Sequence, residues 1–193
     1  AFATKHEDAI YFSKRVTRAV PDGGPIEAHT DLVKKLDYEC ELAVVLGRDA
    51  RDVPAGQTRD YIFGYTILND VSARDVQTAH KQWYFGKSLD GFTPIGPCIV
   101  TADAFADYPP RLGIRSFVNG EKRQDSNTAL QIFDIDHVIA ELSQGMTLKA
   151  GTIIATGTPA GVGMGMDPPQ FLKPGDVVRC EIDGIGTLTN AVK

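Results

Sequence analysis

Cysteine is scarce in this 193-residue sequence: there are three, Cys40, Cys98 and Cys180, with no close pair among them. An odd count at wide spacing excludes a disulfide framework and a cysteine-rich zinc site. All three stand in apolar, strand-like settings and read as buried free thiols of a cytoplasmic protein. Positive charge is also short. Twenty Lys and Arg against 25 Asp and Glu leave a formal net charge of −5, which argues against a nucleic-acid-binding surface. No apolar run approaches the roughly 18 residues that a membrane-spanning helix needs. A phosphate loop is missing too. Thr156 to Gly165 is glycine-rich, but no Gly-Lys-Ser/Thr follows it. Asp167-Pro168-Pro169 stands where a dinucleotide-binding helix should begin.

What is present is a chain of short apolar runs between Gly and Pro turns. With 42% hydrophobic and 23% charged residues, residues 1–193 read as one soluble globular domain. Ala9–Lys14, Ile26–His29, Cys98–Thr101, Leu112–Val118, Ile153–Thr156, Val177–Ile182 and Gly186–Asn190 read as strands. Asn119-Gly120 is the strongest hairpin signal. Thr58 to Asp60 open a short helical turn that Gly64 stops, and Asp134 caps the best helix, about Asp136 to Gln144. Many strands with one or two helices predict a mainly β or α+β sandwich or roll.

The chemistry gathers in Asp37-Tyr38-Glu39-Cys40-Glu41, which runs into the buried strand Val44-Val45-Leu46. Side chains on a strand alternate faces, so Glu39 and Glu41 point one way and Cys40 the other. Taken alone, Glu-x-Glu on a strand reads as a solvated face. A second apolar run, Tyr65 to Leu68, ends in Asn69-Asp70. If the two strands are neighbours, Asp70 completes a cluster of three carboxylates. Such a cluster resists ionisation unless a cation sits within it. An all-oxygen ligand set suits Mg²⁺, Mn²⁺ or Ca²⁺ rather than zinc.

In order, the chain carries LDYECELAVVLG, YTILNDVSARDVQ, FGKSLDGFTPIGP, VNGEKRQD and ATGTPAGVG. This series resembles the fumarylacetoacetate hydrolase family, from about Ile10 to the last residue. The resemblance implies a mixed β-sandwich roll with few short helices, a homodimer, and a small oxo acid as substrate. It places Lys87 beside the metal as the catalytic residue, holding substrate or water, and gives Arg74, Gln77 and Thr158 to substrate binding; a lysine beside a cation can also serve as a base, its pKa lowered. Each has a plainer alternative. Lys87 also reads as a surface lysine, Arg74 as half of a structural ion pair, and the glycines around Thr158 as a turn. The lid with a His and Glu three residues apart, common in the family, has no match. His6-Glu7 are adjacent, and an N-terminal lid segment is expected to be missing or disordered. The resulting expectation is a metal-dependent hydrolase of a C–C bond in acylpyruvate-type 2,4-dioxo acids. A 2-hydroxyhepta-2,4-diene-1,7-dioate isomerase and an oxaloacetate-type decarboxylase are alternatives that share an enolate. A non-catalytic protein that binds metal and oxo acid is the alternative of another class.

Overall fold

The computed structural model describes residues 8–193, so His6 and Glu7 lie outside the described residues. In chain order the strands and helices begin with β1 (Pro25–Ile26), β2 (Leu36–Asp37), β3 (Cys40–Leu46), β4 (Ile62–Asn69) and β5 (Ser72–Ala73). Then come helices α1 (Arg74–Ala79) and α2 (Tyr84–Lys87), followed by β6 (Ile95–Thr101), β7 (Gly113–Val118) and β8 (Glu121–Asn127). Helix α3 (Ile135–Leu142), β9 (Ile153–Ala155), β10 (Val177–Ile182) and β11 (Gly186–Val192) complete the set. The architecture is the strand-dominated α+β one expected.

Two sheets face each other. One has the order β1-β11-β10-β7-β8, the other β6-β4-β3-β9, and β2 pairs with β5 in a short ribbon. Only β1 and β11 run parallel; every other named pair is antiparallel. The core lies between the sheets. Leu42, Val44, Tyr65 and Ile67 from one join Ile114, Val178, Cys180 and Leu188 from the other. Strand β3 is buried along its whole length, so its two faces meet different surroundings: hydrocarbon on one, the carboxylate cluster on the other. Among the described residues no helix is long and apolar enough to cross a membrane.

Local signals explain most elements. Asn119-Gly120 turns β7 into β8, with Asn119 in the left-handed region. The Asp134 side chain accepts a hydrogen bond from the His137 N–H at 2.8 Å and caps α3. Three expectations differ from the structure. Residues 9–14 form no strand, because their contacts are made by side chains rather than by a backbone ladder. Gly64 does not stop the turn at Thr58–Tyr61 but lies inside β4, where pairing to β3 and β6 overrides its weak strand propensity. Cys98 is exposed, since β6 is an edge strand with much of its length open to solvent.

Candidate metal centre

The register of β3 on β4 builds the centre. Cys40 pairs with Asn69, and Glu41 with Leu68. Paired residues share a face, so the next pair outward sets Glu39 opposite Asp70. The Asp70 N–H donates to the Glu39 carbonyl at 2.8 Å. The Asn69 side-chain oxygen takes the Glu39 N–H at 3.0 Å and fixes the crossing. Glu39, Glu41 and Asp70 therefore converge, each offering a carboxylate oxygen within 4.8 Å of the others. They are 9%, 3% and 2% exposed, so this is not a solvated acidic face.

Cations surround them. Lys87, 2% exposed, sets Nζ at 2.6 Å from Glu39 Oε2 and 2.7 Å from Asp70 Oδ2. It reaches the cluster because α2 packs tightly on α1. A Cβ on Gly86 would stand 2.6 Å from the Gln77 nitrogen, so only glycine permits that approach. Lys14 Nζ lies 2.6 Å from Asp70 Oδ1. Arg74 opens α1 and bonds Glu39 Oε1 through Nη1 at 2.6 Å and Asp37 Oδ2 through Nε at 2.9 Å. Its Nη1 also donates to Gln77 Oε1 at 3.2 Å, the one-turn spacing of a helix face. Among the described residues Arg74 Nη2 is buried without a hydrogen-bond partner.

The charges explain the titration of each group. Burial, with Asp70 and Glu39 alongside, pushes the Glu41 carboxyl well above the carboxylate range, despite Lys87 and the Gly157 N–H. For Asp70 burial pushes upward, but Lys14 and Lys87 outweigh it and hold the carboxyl low. Burial would lower the Lys87 ammonium; Asp70, Glu39 and Glu41 outweigh it and raise it. Without a metal, Lys87 is thus a held positive charge and hydrogen-bond donor.

A family model described as fumarylacetoacetate hydrolase C-terminal matches residues 2–193. The chain belongs to the fumarylacetoacetate hydrolase family. The oxaloacetate tautomerase YisK of Bacillus subtilis is 45% identical over 186 residues, which cover 96% of this chain and 62% of that protein. An uncharacterized protein of Staphylococcus epidermidis is 47% identical over 189 residues, covering 97% of this chain and 62% of the relative. This chain therefore spans about three-fifths of the length of these relatives. A fumarylacetoacetate hydrolase from Exiguobacterium antarcticum superposes with a TM-score of 0.94 at 48% identity, covering 100% of this chain and 69% of that one. A 2-hydroxyhepta-2,4-diene-1,7-dioate isomerase from Mycobacterium marinum gives 0.85 at 43% identity, covering 96% and 69%.

The donor set fits a divalent cation. All three convergent donors are carboxylate oxygens, the preference of hard ions. Among the described residues Lys14, Lys87 and Arg74 pair with Asp70 and Glu39, and none pairs with Glu41. Glu41 accepts the Gly157 N–H at 2.8 Å. The cluster is thus short of positive charge at Glu41, and a divalent metal would supply it there.

The glycine-rich segment closes the site from below. Thr158 Oγ1 donates to the Cys40 carbonyl at 3.0 Å and accepts from Gln124 Nε2 at 2.8 Å. Its hydroxyl braces the loop against β3. Three side chains were not singled out in sequence: Lys14, Gln124 and Asp37. Asp37, fully buried, accepts the N–H groups of Gly163 and Met164 at 2.8 and 2.9 Å besides pairing with Arg74. Its place two residues before Glu39, on the same face, was the available signal. Two surface cavities, about 390 Å³ beside Asp52 and His137 and about 320 Å³ beside Tyr38 and Arg123, are lined by none of the three carboxylates.

Proposed function

We propose that this chain is the metal-binding catalytic domain of an enzyme that takes small 2-oxo acids through their enol form, and that it hydrolyses an acylpyruvate-type C–C bond. The observation that carries the reading is the buried, charge-imbalanced cluster. Four carboxylates (Asp37, Glu39, Glu41, Asp70) face three cations (Lys14, Lys87, Arg74). A divalent ion would turn one net negative charge into one net positive charge, which suits an anionic substrate.

Glu39, Glu41 and Asp70 would hold Mg²⁺ or Mn²⁺, with Ca²⁺ a third candidate. Such an ion, when bound, supplies Lewis-acid stabilisation of developing enolate charge. Arg74 turns its unpartnered Nη2 to the substrate carboxylate, and Gln77 orients the guanidinium from Nη1. Lys87 keeps an ammonium donor at the reacting end, and Lys14 fixes the outer oxygen of Asp70. In the hydrolysis, the oxygen of water joins the acyl carbon and the bond from that carbon to C3 breaks. The electron pair passes to C3, giving the enolate of pyruvate, and C3 then takes a proton.

A second reading is supported by the Bacillus relative, named an oxaloacetate tautomerase: a proton leaves or joins C3 as the enol oxygen gains or loses one, and no carbon–carbon bond is broken. In ¹⁸O-water, label entering a new carboxylate marks hydrolysis. In deuterium oxide, enzyme-accelerated exchange of C3 hydrogen for deuterium without cleavage marks tautomerisation. The deciding experiment is calorimetric titration of metal-stripped protein with Mg²⁺, with and without oxalate, for wild type and Asp70→Ala. Oxalate-tightened Mg²⁺ binding that disappears in Asp70→Ala is expected. Full activity in that variant would sink the metal reading. Binding of metal and oxalate with no turnover of any oxo acid would leave the non-catalytic binding protein.

A further inference from the structure

Residues 9–16 run beside the centre as a strap held largely through side chains. Tyr11 bonds Glu141 on α3, the Arg15 N–H donates to Ser88 Oγ at 3.0 Å, and Lys14 reaches Asp70. Phe12, two residues before Lys14, turns to the same side. The Lys87 Nζ lies 5.5 Å from the centroid of its ring. Trp83, just before α2, backs the ring edge-on at 5.2 Å and 71°. Phe12 nevertheless stays 40% exposed. Its place against Lys87, more than its exposure, ties the ring to the ionic cluster.

We propose that Phe12, backed by Trp83, is the specificity-determining wall of the site, and that it selects substrates whose group beyond C3 is uncharged and apolar. This rests on the oxo-acid reading above. The ring presents a negative π-face, which welcomes the Lys87 ammonium and repels a carboxylate placed against it. An alkyl or acyl tail there covers ring surface and loses no hydration. A second carboxylate would be stripped of water against a π-face that repels it. The cations nearest the wall are already engaged: Lys87 by Glu39 and Asp70, Lys14 by Asp70.

The test compares three ligands on Mg²⁺-loaded protein by calorimetry: oxalate, which has no tail; 2-oxohexanoate, with an apolar tail; and 2-oxoglutarate, with a charged one. Wild type is expected to bind 2-oxohexanoate about tenfold more tightly than 2-oxoglutarate, the discrimination an apolar pocket can give. Phe12→Ala should erase that preference and leave oxalate affinity within about twofold. Phe12→Leu, which keeps an apolar wall, should restore most of it, and Phe12→Arg should reverse it. Phe12 is half exposed, so these variants are expected to fold, and their oxalate binding verifies it. If oxalate binds all of them and Phe12→Ala leaves the tail preference untouched, the wall is overturned. If oxalate fails to bind wild type, the oxo-acid reading falls first and takes the wall with it.

Discussion

Glu41 is the carboxylate that cations help least, and its titration is the sharpest residue-scale consequence of the site. Burial raises its carboxyl above the value it has in an unfolded chain. Between those two values the folded metal-free protein binds more protons than the unfolded one. Its stability must therefore fall as pH rises through that window. Glu41→Gln removes the group that titrates. We expect metal-free Glu41→Gln to match wild type at acid pH and to exceed it in urea denaturation midpoint above neutrality, while its response to Mg²⁺ is lost. The three metal-site carboxylates were legible because a two-residue period and one register fix them. Lys14 was not, since nothing in Phe12-Ser13-Lys14 foretells a partner 56 residues away, and Asp37 was passed over although it shares the parity of Glu39 and Glu41.

At the scale of elements, the segment from Thr156 to Gly165 is fastened to β2 and β3 at several points. Asp37 takes two of its N–H groups, Glu41 takes the Gly157 N–H, and Tyr38 donates its hydroxyl to the Gly161 carbonyl at 2.8 Å. Gly163 is where the fastening is tightest. A Cβ there would lie 2.0 Å from the Gln170 carbonyl oxygen and 2.8 Å from Asp37 Oδ1. Gly163→Ala is expected to cost about 3 kcal/mol, the upper end of overpacking, read by urea denaturation. It should also weaken Mg²⁺ binding through displaced Gly157, which a calorimetric titration checks. Elements with local punctuation, such as the Asn119-Gly120 hairpin and the Asp134-capped helix, were readable in advance. The strap at residues 9–16 was not. Its apolar run Ala9-Ile10-Tyr11-Phe12 mimics a strand, but its contacts run to α3, α2 and Asp70 rather than to a neighbouring ladder.

For the whole molecule, metal and fold are linked, since the three metal-site carboxylates come together only when β3 and β4 pair in register. An ion that binds the folded state alone stabilises it by mass action, about 2.7 kcal/mol at a hundred times its dissociation constant. For a domain of this size that corresponds to a rise of about 5–10 °C in Tm. Scanning calorimetry with Mg²⁺ should show it, and Asp70→Ala should not respond. One topological fact reaches further. The last strand, β11, lies inside its sheet, between β10 and the early β1, and the Lys193 N–H and carbonyl bond Ile26 and Ala28. During synthesis the first strand of that sheet therefore waits for the last residues of the domain to leave the ribosome. The nascent chain can close its turns and hairpins on the way out, but the larger sheet is sealed only after release of its final strand. Until then β1 has no partner on either side, and the edge that β11 will take is open to any other strand.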